Sequence, residues 1–116
     1  MFFLKTDGRA HMISPKRYHT VFASKPTPHI LIDVRTAEEF AVSHIPGAIN
    51  IPVQGMVNRL SEISHPVPVI VYCRSGARSS IAARVLSDAG FSQVYDLGGF
   101  MGGVAQDLPI ERGVSQ

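Results

Sequence analysis

Residues 67–90, "VPVIVYCRSGARSSIAARVLSDAG", decide the fold. They open with the apolar run "VPVIVY" (67–72), which has no polar alternation and therefore predicts a strand that is buried on both faces. After a short glycine-containing segment comes "SSIAARVLSDAG" (79–90), a predicted helix that ends at Gly90. Its apolar residues share one face at helical spacing: Ile81, Ala82, Val85, Leu86 and Ala89. A strand, a tight turn and a helix form the repeating unit of a parallel α/β sheet.

The same alternation continues along the chain. The predicted strands are "HMIS" (11–14), "HILIDV" (29–34), "GAINIP" (47–52), "VPVIVY" (67–72) and "QVYDL" (93–97). The other predicted helices are "SPKRYHTVFAS" (14–24) with Pro15 in its first turn, "TAEEFAVS" (36–43), "VQGMVNRLSEIS" (53–64) with Val53, Met56, Val57 and Leu60 on one face, and a glycine-weakened "GGFMGGVAQDL" (98–108). Thr36 and Glu39 have the spacing of a capping box. We predict a single α/β domain with about five parallel strands and helices on both faces of the sheet.

Composition narrows the class of protein. The 116 residues are 45% hydrophobic and 17% charged, with a net charge of +2, which indicates one globular domain. The basic residues are scattered, so the sequence predicts no nucleic-acid partner, and no apolar stretch is long enough for a membrane span. A single cysteine excludes an internal disulfide and favours a reducing compartment, so we predict a cytoplasmic protein. Residues 1–12 are predicted to be an N-terminal extension or a tag remnant, and residues 114–116 a tail.

The lone cysteine, Cys73, lies where the strand turns into the helix. Gly76 permits a tight turn, in which consecutive backbone N–H groups form a nest for an anion. The start of the helix and the charges of Arg74 and Arg78 also favour a thiolate. Lone cysteines commonly just fill a core, but a glycine-containing loop flanked by two arginines is a poor place for packing. The pattern therefore indicates a nucleophilic thiolate in an anion cradle.

Other candidate sites are weaker. The five histidines (11, 19, 29, 44 and 65) lack metal-ligand spacing, so no metal site is predicted, and His44 is expected to tie down a turn. "GGFMGG" (98–103) does not fit a dinucleotide fingerprint. Its glycines are instead expected to let the chain pass close to the Cys73 loop. Asp33, at a strand end, is expected to pair with an arginine or cap a loop.

Three segments together resemble the rhodanese family of thiosulfate and persulfide sulfurtransferases. "CRSGARS" (73–79) resembles its active-site loop, "DVRTAEEFAVSHIPGAINIP" (33–52) its other signature, and "VYDLGGFMGGVAQDLPIERG" (94–113) its closing segment. Ser43 stands where glycine is usual, and the usual tryptophan after Gly98 and Gly99 is absent. The resemblance predicts a rhodanese-like domain over residues 13–113.

The resemblance implies a chemistry for these residues. Cys73 would accept sulfane sulfur as a persulfide and pass it to cyanide or a thiol, such as glutathione, a thioredoxin-like protein or another protein. No metal or organic cofactor is implied, and Asp33 and Arg35 would shape the surroundings of the loop. Arg74 and Arg78 would attract an anionic donor such as thiosulfate. The loop's backbone N–H groups would cradle the persulfide: Arg74, Ser75, Gly76, Ala77, Arg78 and Ser79.

Two other functions stay open. Cysteine phosphatases and arsenate reductases use a loop with five residues between cysteine and arginine, whereas four separate Cys73 from Arg78. A loop one residue shorter has one fewer N–H donor for phosphate oxygens, so we predict no hydrolysis of p-nitrophenyl phosphate. The second alternative is a carrier module, in which Cys73 receives sulfur from a desulfurase and hands it to a protein partner.

Overall fold

A computed structural model describes residues 10–24, 27–63 and 66–99, together with the backbone of Glu111 and Arg112. Its strands are β1 His11–Met12, β2 Ile30–Asp33, β3 Ser43–His44, β4 Ile49–Asn50, β5 Val69–Cys73, β6 Val94–Gly99 and β7 Glu111–Arg112. Its α-helices are α1 Pro15–Tyr18, α2 Ala37–Val42 and α3 Ala77–Asp88, and a π-helical turn (His19–Ala23) and a 3-10 helix (Val53–Glu62) complete the helical elements. No helix in the described ranges is long and apolar enough to cross a membrane.

Five strands form one parallel sheet in the order β1-β6-β5-β2-β4. Each of these strands lies where the sequence predicts one, and the apolar β5 occupies the centre. Its register with β6 shifts at Leu97, since Val71 pairs with Asp96 but the next residue, Tyr72, pairs with Gly98. Gly98 has φ 83°, a left-handed conformation that suits glycine at such an irregularity. The prediction that the last helix begins at Gly98 is therefore wrong, because Gly98 and Gly99 extend β6.

Helices cover both faces of this sheet, as predicted. Side chains of β5 alternate, so Val71 and Cys73 face α3 and the 3-10 helix, whereas Ile70 and Tyr72 face the other way. On that second side they share a core with Tyr18 of α1 and with Phe22 of the π-helical turn. Burial on both faces is the physical reason why β5 is continuously apolar.

Three helical elements differ from the predictions, either in the type of helix or in the residue at which the helix begins. The first predicted helix changes after Tyr18 from α-helix to a π-helical turn, and residues 53–62 wind as a 3-10 helix. The third difference is that α3 begins at Ala77, two residues before the predicted start at Ser79. It begins early because Gly76, with φ 102°, completes the reversal within three residues, Arg74–Gly76.

The buried stripe of α3 is rotated from the predicted one. Ile81 is 57% exposed and Ala89 is exposed as well. The buried positions follow the spacing i, i+3, i+4, i+7 and i+8, and most carry small side chains that let the helix lie close to the sheet: Ser79, Ala82, Ala83, Leu86 and Ser87. In the 3-10 helix, Met56 is buried but Val57 is 64% exposed.

A second, antiparallel pair of strands was not predicted. β3 and β7 pair Ser43 with Arg112 and His44 with Glu111. The side chain of His44 contacts helix α2: its Nδ1–H donates to the Phe40 carbonyl at 2.8 Å, and its ring stacks on that of Phe40. The remainder of the predicted last helix (100–108), the first nine residues and the tail (114–116) lie outside the described residues.

Candidate active site

The predicted nucleophile, Cys73, is the last residue of the central strand β5. Its neighbour across the ladder is Gly99 of β6, and the chain beyond it forms the three-residue turn that leads into α3. Cys73 is fully buried and belongs to the apolar core under α3. The fold thus places the thiol at the carboxyl edge of a parallel sheet, where ligands of such sheets bind.

The turn directs hydrogen-bond donors at this sulfur. The Gly76 N–H donates to Cys73 Sγ at 2.9 Å. One turn into α3 lies Ser79, fully buried, whose hydroxyl donates to the Gly76 carbonyl at 3.2 Å. Its single proton lies on that carbonyl and is not donated to the sulfur at the same time, but the hydroxyl is among the groups that lower the pKa of Cys73. The sequence had suggested only the backbone of Ser79, so its side chain is an addition from the structure.

The pKa of Cys73 is lowered from its ordinary value. Burial is the largest single influence and raises the pKa, but the Ser79 hydroxyl and the N–H groups of Ser79, Gly76 and Ser75 together outweigh it. A cysteine that only fills an apolar core has no such donors, and burial raises its pKa. The surroundings of Cys73 therefore favour the thiolate, the form of cysteine that acts as a nucleophile.

The two arginines of the loop lie in different surroundings. Arg74, like Ser75 and Ala77, is exposed, and among the described residues it has no ion pair. Arg78 instead forms a bidentate pair with Glu39, with Nη1–Oε1 2.7 Å and Nη2–Oε2 3.1 Å. The expectation that both arginines attract an anionic donor stays a prediction, and the structure shows that the charge of Arg78 is already paired with a carboxylate.

Glu39 is the residue that sequence reasoning did not connect with the loop. As predicted, it forms a capping box: its backbone N–H donates to Thr36 Oγ1, and its carboxylate accepts from the Thr36 N–H. The hydrogen bonds from Arg78, the largest influence, and those from Thr36 lower its pKa to about 2, against a smaller opposing effect of burial. The capping-box spacing was visible in the sequence, but nothing local indicated the arginine 39 residues away.

Asp33 and Arg35 form a buried pair at the end of β2, the strand beside β5. Arg35 Nη2 lies 2.6 Å from Asp33 Oδ2 and also donates to the Ser43 carbonyl, which ties the end of α2 to the sheet. Burial lowers the pKa of Arg35, but the hydrogen bonds and charge of Asp33 prevail and raise it. The pairing predicted for Asp33 is present, and it lies beside Tyr72 of β5.

Tyr72 of β5 lies beside the buried pair of Asp33 and Arg35. Its hydroxyl accepts from the Ile45 N–H at 3.0 Å, and the Arg35 guanidinium lies 5.8 Å from its ring centroid. Burial, followed by the charge of Asp33, raises the pKa of Tyr72, so it stays a neutral hydroxyl. The strand that carries Cys73 is thereby fastened to the segment after α2.

Strand β6 passes so close to the loop at Gly99 that this position needs a residue without a side chain. A Cβ atom at Gly99 would lie 2.9 Å from the Arg74 carbonyl oxygen and 3.5 Å from backbone atoms of Ser75. The expectation that glycines let the chain pass close to the loop is confirmed for Gly99, and residues 100–103 of the "GGFMGG" segment lie outside the described residues.

Replacing Ser79 with alanine tests the effect of its hydroxyl on the thiol. We expect the pKa of Cys73 to rise, because burial still opposes the thiolate and a hydroxyl that lowers this pKa is gone. Since thiolate is the reactive form above the pKa, the midpoint of iodoacetamide alkylation should move to higher pH, with alkylation at neutral pH about three- to tenfold slower. Ser80→Ala is the matched control, because Ser80 is exposed one position on. An unchanged midpoint in Ser79→Ala would contradict this assignment.

Comparison with known proteins agrees with this geometry. A family model described as the rhodanese-like domain matches residues 15–106. The chain belongs to this family. A sulfurtransferase of Allochromatium vinosum is 40% identical over 82 residues, covering 70% of this chain and 77% of that protein. The thiosulfate sulfurtransferase GlpE of Glaesserella parasuis is 38% identical over 85 residues, covering 72% and 79% respectively.

A solved structure of a "rhodanese with anions from E. coli" superposes on the rhodanese-like domain with a TM-score of 0.66 and 33% identity, covering 74% of this chain and all of that one. Some relatives are much longer. The chain matches 26% of the adenylyltransferase and sulfurtransferase UBA4 of Meyerozyma guilliermondii, with 35% identity over 84% of its own length. Membership of the family supports sulfur transfer in general as the chemistry of this site.

Proposed function

We propose that this protein is a sulfurtransferase in which Cys73 takes sulfane sulfur from an anionic donor such as thiosulfate and passes it to a thiol or to cyanide. The observation that carries the proposal is a buried cysteine at the end of the central strand whose sulfur accepts from the Gly76 N–H. The lowered pKa of this cysteine supports it. The named activities of the relatives from A. vinosum and G. parasuis support it.

In the first step the Cys73 thiolate attacks the outer sulfur of thiosulfate. A bond forms between the two sulfur atoms, the sulfur–sulfur bond of thiosulfate breaks, and sulfite leaves with the electron pair. The negative charge of the thiolate ends on the outer sulfur of the persulfide, near the donors that lower the thiol pKa. Arg74, exposed beside the loop, would attract the dianion, whereas Arg78 is already occupied by Glu39.

In the second step an acceptor thiolate or cyanide attacks the outer sulfur, and Cys73 leaves as a thiolate. The loop's N–H donors would stabilise this leaving thiolate, so one set of groups serves both steps. With one cysteine in the chain, no internal disulfide can release the sulfur. We therefore expect the persulfide to persist until an external acceptor arrives. A cytoplasmic location stays a prediction from the single cysteine.

Intact mass spectrometry tests the proposal. After incubation with thiosulfate the protein should gain the mass of one sulfur atom, keep it in acceptor-free buffer, and lose it on addition of cyanide or dithiothreitol. Phosphatase turnover with p-nitrophenyl phosphate should be absent. Failure to gain sulfur from thiosulfate or from any persulfide donor would refute sulfur transfer.

A carrier role is a second candidate that one comparison favours. In UBA4 the matched region is about a quarter of a longer adenylyltransferase and sulfurtransferase. A rhodanese-like domain can therefore be one part of a longer protein that has a second activity. For this chain, a persulfide on another protein could be the sulfur donor. Loading from a persulfidated desulfurase at rates far above those with thiosulfate would favour the carrier.

A further inference from the structure

The loop is anchored to a helix from another part of the chain. Arg78, the second residue of α3, reaches Glu39 in α2 through two hydrogen bonds, at 2.7 and 3.1 Å. The two side chains are 33% and 25% exposed, so the pair is partly shielded from water. Arg78 lies between Gly76, whose N–H donates to the sulfur, and Ser79, which is among the residues that lower the pKa of Cys73.

Glu39 itself has little freedom. Its carboxylate also accepts from the N–H and the hydroxyl of Thr36, at 2.9 and 3.1 Å. Its pKa of about 2 keeps it charged at neutral pH, and the stability it contributes is lost only as pH falls from about 4.3, the ordinary value, toward that pKa. Arg35 also lies close enough to Glu39 to interact with it electrostatically. Asp33 interacts with Arg78 in the same way.

We propose that Glu39 is a positioning residue of this site: by holding Arg78, it fixes the first turn of α3 and so aims the Gly76 N–H at Cys73 and sets the position of Ser79. The part of the proposal that is measured by sulfur loading rests on the proposed function. The part that is measured by the pKa of the Cys73 thiol does not depend on that function.

Two effects of losing the Glu39 charge oppose one another. Release of Arg78 would let the turn shift, which lengthens hydrogen bonds to the sulfur and raises the pKa of Cys73. The released guanidinium would also be a cation near the thiolate, which lowers the pKa. The first effect should prevail, because a guanidinium that is one-third exposed is screened by water, whereas the donors act at a fully buried sulfur.

The test compares Glu39→Gln with Glu62→Gln. Glu62 is the matched control, because it forms the same kind of bidentate pair, with Arg59, at 2.9 Å for both contacts, away from the loop. Thiolate absorbance is titrated against pH, sulfur loading from thiosulfate is timed by intact mass, and urea unfolding confirms that each variant is folded. We expect a higher thiolate midpoint and about tenfold slower loading at neutral pH in Glu39→Gln only, since small misplacements at reacting centres reduce rates by this order.

Each outcome decides the proposal. An unchanged midpoint in a folded Glu39→Gln overturns it, and a lower midpoint means that Glu39 instead shields the thiolate from Arg78.

Adding Arg78→Gln to Glu39→Gln should bring little further loss, because the two residues act through one contact. If Glu39→Gln does not fold, Glu39→Asp keeps the charge but cannot make both contacts, and its midpoint should still rise. If the unmodified protein takes no sulfur from thiosulfate, the proposed function fails, and the titration still tests Glu39.

Discussion

Replacing Cys73 with serine is expected to abolish the gain of sulfur, to below one part in about 10³ of the unmodified rate, because a serine hydroxyl stays protonated where a thiol ionises. The chain has no other thiol that could take over. The measurement is intact mass after thiosulfate, with the unmodified protein treated in parallel.

A stability measurement separates lost chemistry from a lost fold. Serine has nearly the shape of cysteine and can accept from the Gly76 N–H, which now donates to the sulfur. Because Cys73 is fully buried in an apolar cluster, we expect urea unfolding to show a loss of about 1–2 kcal/mol, with the fold retained. Sulfur gain in a folded Cys73→Ser would mean that the sulfur binds elsewhere, and Cys73 would no longer be the acceptor.

Gly99→Ala is expected to have the second largest effect. Its Cβ would meet the Arg74 carbonyl oxygen at 2.9 Å, closer than real contacts allow, and Arg74 is the first residue of the turn after Cys73. The backbone of the loop or of β6 must therefore shift. We expect persulfide formation to fall about ten- to a hundredfold, because the donors around the sulfur are displaced, and the free energy of unfolding to fall by about 1–3 kcal/mol.

Gly55→Ala is the control for a general cost of losing glycine. A Cβ at Gly55, in the 3-10 helix, would meet no atom within 4 Å. Its loading rate should match that of the unmodified protein, measured by intact mass under the same conditions. Equal loading rates for Gly99→Ala and Gly55→Ala would show that the loop tolerates the contact and that Gly99 is not needed for close approach.

Features with short-range causes could be predicted from the sequence. The central strand was identifiable because burial on both faces demands an uninterrupted apolar run. The capping box of α2 was identifiable because Thr36 and Glu39 contact each other within one turn. The site at Cys73 followed from the same kind of reasoning, since its donors come from the next six residues.

The stripe of α3 that faces the sheet was only partly predictable. Apolar spacing placed Ile81 inside, yet the structure leaves it 57% exposed and buries Ser79 and Ser87. The reason is that close approach to the sheet favours small side chains over large apolar ones. Hydrophobicity alone therefore indicated the presence of the helix and not its rotation.

Local patterns of a few residues were therefore enough to predict the alternation of strands and helices, the tight turn at Gly76 and the cysteine at the end of a strand. The pairing of Arg78 with Glu39, the contact of Gly99 with the Arg74 carbonyl and the pairing of β3 with β7 became visible only in the folded chain. Those contacts join segments far apart in the chain, and the sheet order that brings them together is set by packing the whole core. No local pattern shows which arginine of the loop is paired, because Arg74 and Arg78 carry the same charge. Only the fold brings Glu39, which is 39 residues away in the chain, to Arg78.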